Sequence, residues 1–258
     1  MEDVALILLT DAPAWVAPLR DALEGHGAAV AGVDVRETDA LPTARMVVNR
    51  VSAGAAEAVA QKTLTLLGQA ETAGTRVING ARCHRVGASK LAQATLFAHV
   101  HAPTPRTERV TRNGSGAGQW TDRSRLLKPD KGTFGRGIVR LAPGQRPSAQ
   151  DLKGVTLDGK EAAVSQEVVE ARDGCVHRVE ILGNSPLYEA VVPLVDDETN
   201  YCLAAATDRE EAGGPPLRIT TAISPAVATL VPAGADGLPF APLARVADWL
   251  MRQLSTID

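Results

Sequence analysis

The 258-residue sequence predicts an α/β fold that turns strand-rich, α+β, in its C-terminal part. Three observations carry this expectation. Short apolar runs alternate with helix-period stretches from Val4 to about Gly80, and the texture changes to short strands after Pro105. An amphipathic stretch, LARVADWLMRQL, then closes the chain.

VALILL at 4–9 reads as a buried parallel strand, because six apolar residues in a row leave no polar face. The next helix begins near Pro13, puts Trp15, Leu19 and Leu23 on one face, and closes at Gly25 or Gly27. AAVAGVDV and ARMVVNRVS are a second and a third strand. A long helix from about Ala55 to Glu71 leads to TRVING, and this open α/β part ends near Gly80. A helix from about Ser89 to Val100 stops ahead of His-Ala-Pro-Thr-Pro, since proline disfavours helix in the residue before it. The strands after Pro105 are RTERV, SRLLKP, GIVRL, AAVSQEVV, CVHRVEILG and PLYEAVVPLV. NGSGAG at 113–118 reads as a flexible loop, and AATDREEAGGPP, from about Ala204, as a loop or disordered segment.

Composition excludes several classes. A net charge of -3 gives no global nucleic-acid footprint, and 3% aromatic content leaves few platforms for stacked bases. No apolar run is long enough to cross a bilayer, and no basic segment precedes a cleavable apolar one, so the expectation is a cytoplasmic protein without membrane or nucleic-acid partners. Cys83, Cys175 and Cys202 are scattered and form no CxxC pair, which reads as free thiols. His26, His84, His99 and His101 show no metal-ligand grouping beyond His99-x-His101, read as a helix-end accident.

The segment with chemical content is LLKPDKGTFGRGIVRL at 126–141. Lys128 ends an apolar strand, and the glycines that follow could turn backbone N–H groups toward an anion, with Lys131 and Arg136 adding charge. An ordinary hairpin with a solvated tip reads the same way. GVTLDGKE at 154–161 mimics a phosphate-binding P-loop, but Glu161 stands where a Ser or Thr must hold magnesium, so it reads as a surface turn.

Four segments in order resemble the ATP-grasp superfamily, in particular its carboxylate–amine ligases related to glutathione synthetase and the ribosomal-protein S6 glutamate ligase. They are VVNRVSA at 47–53, RVINGARCHRVGASKLAQATLFAHVHAPTPRTERV at 76–110, LLKPDKGTFGRGIVRL, and VSQEVVEARDGCVHRVEILGNSPLYEAV at 164–191. The resemblance implies an N-terminal pre-ATP-grasp domain over 1–82, a central ATP-grasp subdomain over 83–165, and a shortened C-terminal subdomain over 166–258. It implies ATP and magnesium as cofactors, small-molecule carboxylate and amine substrates, and a possible homodimer or partner subunit.

By the same resemblance Lys90 and Lys128 would hold the nucleotide phosphates, and the loop Gly132, Thr133, Phe134, Gly135, Arg136 and Gly137 would close over them. Backbone groups of Gln166, Glu167, Val168 and Val169 would read the adenine edge. Asp173 would take the ribose hydroxyls, with Glu170 as a rival and a plain Asp-Gly turn as the alternative. Arg178 would be catalytic, meeting the substrate carboxylate and the transferred phosphoryl group. His177, one residue away on the strand, would face the other side as a packing or surface residue. The implied chemistry passes through an acylphosphate that an amine converts to an amide.

One family feature does not turn up in the sequence. The late hairpin that holds magnesium, roughly D-x(n)-[DE]-[ILV]-N, has no match after NYCLAA at 200–205; AIS at 222–224 and DGLP at 236–239 are its nearest remnants. Asp196, Asp197 and Glu198 could substitute as ligands or form a solvated acidic turn. Three readings follow: a divergent ligase, a degenerate nucleotide- or partner-binding scaffold, or a small-molecule module built on the N-terminal α/β part.

Overall fold

The computed structural model describes residues 4–111, 122–132, 137–155, 162–171, 173–183, 185–194, 218–220 and 242–257. The chain divides into two compact units, residues 1–81 with 172–258 and residues 82–171. The first unit is discontinuous in sequence, because the last helix returns to the N-terminal sheet.

That sheet contains β1 (Val4–Thr10), β2 (Val30–Asp34), β3 (Ala44–Asn49) and β4 (Arg76–Ile78) in the order β2-β1-β3-β4, every pair parallel. The apolar run in β1 behaves as its period of two requires: Leu6 and Leu8 enter one core, Ile7 and Leu9 the other. In β3, Met46 and Val48 join the first core and Val47 the second. The first core is covered by α1 (Pro13–Gly25) and α6 (Pro242–Ser255), through Val16, Leu19 and Leu23 and through Ala247, Leu250 and Leu254. The second is covered by α2 (Glu57–Thr72), through Leu66 and Leu67. Both faces are therefore buried, as a parallel sheet needs.

The C-terminal turns of α6 are held electrostatically. Arg45 donates to the carbonyl of Leu254 at 3.2 Å and also meets that of Ile257. Arg76 donates to the carbonyl of Gln253 at 3.3 Å and to Thr256 Oγ1 at 2.9 Å. Cations at this end satisfy the orphan carbonyls and oppose the helix dipole. An antiparallel sheet, β11 (Arg218–Thr220), β10 (Ser185–Pro193) and β9 (Cys175–Leu182), belongs to the same unit.

The second unit carries a four-stranded antiparallel sheet in the order β5 (Thr107–Val110), β8 (Ala163–Glu167), β6 (Arg125–Pro129), β7 (Val139–Leu141). Val110, Leu127, Leu141, Val155 and Ala163 form its core. Three short helices accompany the sheet: α3 (Ala81–Gly87), which starts at the unit boundary, α4 (Lys90–His99) and α5 (Ala149–Val155).

The long elements fall where the sequence places them, with ends shifted by one to three residues, the largest where β3 stops at Asn49 and leaves RVS outside it. α3, α5 and β11 are additions that the sequence pattern did not indicate, each only seven or three residues long. α5 runs into the start of GVTLDGKE, so a helix and not an apolar strand precedes that stretch; its residues 156–161 lie outside the described residues. Cys83 and Cys175 are free thiols, and Cys202 lies outside the described residues. No described helix is long and apolar enough to cross a membrane.

Leu250 is 2% exposed where α6 meets α1 and the sheet. Leu250→Ala is expected to cost about 2–5 kcal/mol, read as a lowered urea midpoint at unchanged slope.

Candidate functional site

The end of β6 and the start of α4 are tied by one side chain. Asp130, 9% exposed, accepts from Ser89 Oγ at 2.9 and 3.0 Å and from the Leu91 backbone N–H at 2.8 Å. Its own carbonyl accepts from the Lys90 backbone N–H at 3.1 Å. Ser89 in turn caps the helix, taking the Ala92 N–H at 3.1 Å. A carboxylate at a helix N-terminus satisfies orphan donors and complements the dipole.

This clamp places two amines close together. Lys90 Nζ donates to the carbonyls of Asp130 and Gly132, at 3.3 and 3.1 Å. Lys128, half-buried on β6, donates from Nζ to Gln166 Oε1 at 2.8 Å, and Gln166 is oriented by its own bond to Thr107 Oγ1 at 3.0 Å. Burial first, and then the neighbouring charge of Lys90, hold the Lys128 amine below the ordinary lysine range. Its partner is a neutral amide. No described carboxylate pairs with it, so the charge is held with only part of its solvation replaced.

Beside the lysines, the loop that the sequence singled out begins at Gly132 (φ +120°) and ends at Gly137 (φ +69°). A side chain at Gly137 would also come within 3.1 Å of Pro129 Cγ, so the return of this loop over the strand end needs glycine. Thr133, Phe134, Gly135 and Arg136 lie outside the described residues.

Gln166 to Val169 continue β8 into an irregular stretch of the same unit. The Glu167 N–H donates to Arg106 O at 3.0 Å and the Val168 N–H to Ser124 O at 3.0 Å. Val169 is 66% exposed, and its N–H has no partner among the described residues. The unit thus brings together Lys90, Lys128, Gly132 and Gln166, with the Glu167–Val169 backbone following on.

Asp173 and Arg178 belong to the other unit. Asp173 is engaged: Oδ2 lies 2.7 Å from His177 Nε2, and Oδ1 accepts the Cys175 N–H at 3.1 Å. His177 Nδ1 lies 2.5 Å from Oε1 of Glu189, which is fully buried on β10. An imidazole between two carboxylates holds a proton on both nitrogens; the Glu189 bond first, and then the Asp173 bond, raise its pKa. His177 is therefore an ion-pair centre and not the packing residue that the sequence indicated. Arg178, exposed on β9, gives its Nε to Glu180 Oε1 at 2.6 Å. Asp196, Asp197 and Glu198, the AIS and DGLP segments and NYCLAA all lie outside the described residues, and no described group of three acids, histidines or cysteines could hold a metal ion.

No protein-family profile matches the chain, and no curated protein matches it. Solved structures do. A D-cycloserine synthetase, DcsG, superposes with a TM-score of 0.61 over 97% of this chain and 99% of that one, at 19% identity. An ATP-grasp RimK domain protein from Sphaerobacter thermophilus gives 0.59 over 95% and 98%, at 16% identity. The chain has the ATP-grasp fold. The ATP-grasp ligase PsnB, solved with a phosphomimetic variant of its minimal precursor, Mg and ADP, agrees with this at a TM-score of 0.54, 16% identity, and 98% and 100% coverage. The ATP-grasp resemblance of the four sequence segments thus holds for the fold.

The His177 cluster has a pH signature. Its folded pKa lies above the ordinary value of 6.5, so its stabilisation is complete below pH 6.5 and is lost as pH rises through the folded value. Thermal unfolding from pH 6 upward is expected to show a falling midpoint in the wild type and a flatter one in His177→Gln. Parallel curves would remove the imidazolium from this cluster.

Proposed function

We propose that this chain is an ATP-dependent carboxylate–amine ligase that works through an acylphosphate. One observation carries the proposal: Lys128 is half-buried within the field of the Lys90 charge, and no described carboxylate pairs with it. The charge of Lys90 raises the free energy of the half-buried Lys128 ammonium, and an anion of high charge density relieves it. A nucleotide's phosphates are such an anion, and the stretch between Gly132 and Gly137 starts and ends on positive-φ glycines, the backbone that anion-binding turns use.

In this reading Lys90 and Lys128 take the phosphate oxygens. The unpartnered N–H of Val169 donates to the adenine edge, beside Glu167 and Val168, whose own N–H groups are already used. The γ-phosphoryl group passes to a substrate carboxylate, releasing ADP. An amine then attacks the acyl carbon, phosphate leaves and the amide forms, the amine losing a proton to solvent. Both anions of the first step must be brought together, so the residues act by neutralising charge and fixing position, and no protein nucleophile is required. Arg178, the family's candidate for the carboxylate, can serve only by giving up or sharing its bond to Glu180. Both Asp173 oxygens are already engaged, Oδ2 by His177 and Oδ1 by the Cys175 N–H, so a ribose hydroxyl would have to share one of them. The described residues furnish no magnesium site, and no step here is routed through the metal.

Calorimetric titration of ATP into the wild type and Lys128→Met tests the reading. Loss of the charge-assisted bonds is expected to weaken ATP binding about 10- to 100-fold. Because Lys128 is protonated at a cost in the folded state, with its pKa lowered from 10.5, the same variant is expected to unfold at or above the wild-type midpoint at pH 7. Equal affinity in both proteins would refute the cradle; binding without any carboxylate- and amine-dependent ADP release would leave a nucleotide-binding scaffold.

A further inference from the structure

The unit formed by residues 1–81 and 172–258 contains a cavity of about 430 Å³ that the ligase reading does not use. Its floor is the C-terminal end of the parallel sheet, where Val48 and Ile78 finish β3 and β4. Leu19 of α1, Leu250 and Trp249 of α6, and Leu182 at the tip of the β9–β10 hairpin make apolar walls. The hairpin turns hard against Trp249: a side chain at Gly183 (φ +64°) would come within 2.9 Å of the indole Nε1. One wall of the cavity is therefore set by a contact that only glycine permits.

Three polar residues line it: Arg50, Asn79 and Glu180. Asn79, at φ +56°, is cross-braced to Asn49, whose Nδ2 donates to the Asn79 carbonyl at 3.0 Å, so the two strand ends are rigid. Glu180 already accepts from Arg178. Arg50 differs. Its backbone N–H is tied to the Leu9 carbonyl at 2.7 Å, but its guanidinium has no hydrogen-bond or ion-pair partner among the described residues. Two of the exposed large hydrophobic residues, Trp15 (77% exposed) and Ile181 (54%), line the same cavity. The sheet contributes Val48 and Arg50 at the end of β3 and Ile78 and Asn79 at the end of β4, and the carboxyl ends of the strands are where open α/β sheets bind ligands.

We propose that this cavity binds a small monocarboxylate with an apolar body, its carboxylate on the Arg50 guanidinium and its hydrocarbon between Trp15, Leu19 and Trp249. A guanidinium is matched to a carboxylate by its planar fork. One cation, beside one acid and one amide in a lining that is otherwise apolar, suits a single, weakly hydrated negative charge better than a phosphate or a diacid. The inference concerns this unit alone and stands whether or not the lysines hold ATP.

The test is a fluorescence titration of the full chain without nucleotide, using butanoate, pentanoate and hexanoate, with hexanol and hexylamine as charge controls. Trp15 and Trp249 line the cavity and report occupancy. Affinity is expected to rise about fourfold per methylene, and the two controls are expected to bind at least about tenfold more weakly. Arg50→Gln, checked for an unchanged circular dichroism spectrum, is expected to lose the preference of hexanoate over hexanol. Hexanol binding as well as hexanoate, a wild-type-like Arg50→Gln, or no saturable response up to about 10 mM hexanoate would each overturn the proposal. Since ATP is absent, failure of the lysine cradle changes none of these outcomes.

Discussion

The Asp130 carboxylate is the constraint from which the geometry around the lysines follows. Strand β6 would end at Pro129 whatever came next, and α4 would start near Ser89 on capping grounds alone. It is the three bonds to this one carboxylate that join the two ends. Lys90 and Lys128 are 38 residues apart in sequence, yet each feels the other because the residue following one strand end caps the other's helix.

Such an arrangement works against stability. A lysine whose amine is half desolvated beside a second cation does not contribute to folding in the way an exposed lysine with a carboxylate partner would. The neutral Gln166 amide softens the cost for Lys128 without cancelling its charge, which no described carboxylate pairs. Uncancelled charge at a fixed position is what an anionic ligand requires. By contrast, the imidazole at His177 sits between two carboxylates, and its charge is spent within the protein. The two clusters show how one chain uses ion pairing to stabilise one place and withholds it at another.

Much of this was readable beforehand. VALILL declared a doubly covered strand because apolar residues occupied both parities, and the closing helix declared one apolar face. The four ATP-grasp-like segments identified the fold, since order along the chain survives when identity has dropped to 19% or less against the structures compared. The Asp130 clamp was missed, although KPD and SK lie in the quoted segments, because a cap contributed from 41 residues away has no local pattern. Glu189 was missed for the same reason: that it faces His177 depends on the β9–β10 register, which includes a shift between Pro186 and Tyr188. The short helices α3 and α5 carry too few residues to show a period. Arg50 stood in a quoted motif, but its meaning came only from the cavity around it.

The return of α6 to the N-terminal sheet has a consequence for the order in which the protein can be completed. During synthesis, β1, β3 and α1 emerge early, yet the face carrying Leu6, Leu8 and Val48 lacks part of its cover until Ala247, Leu250 and Leu254 have been made. Residues 82–171 form their own sheet and core in the interval. A nascent chain stalled between residue 171 and α6 therefore presents a finished middle and an unfinished beginning, with apolar surface open to chaperones until α6 has been made.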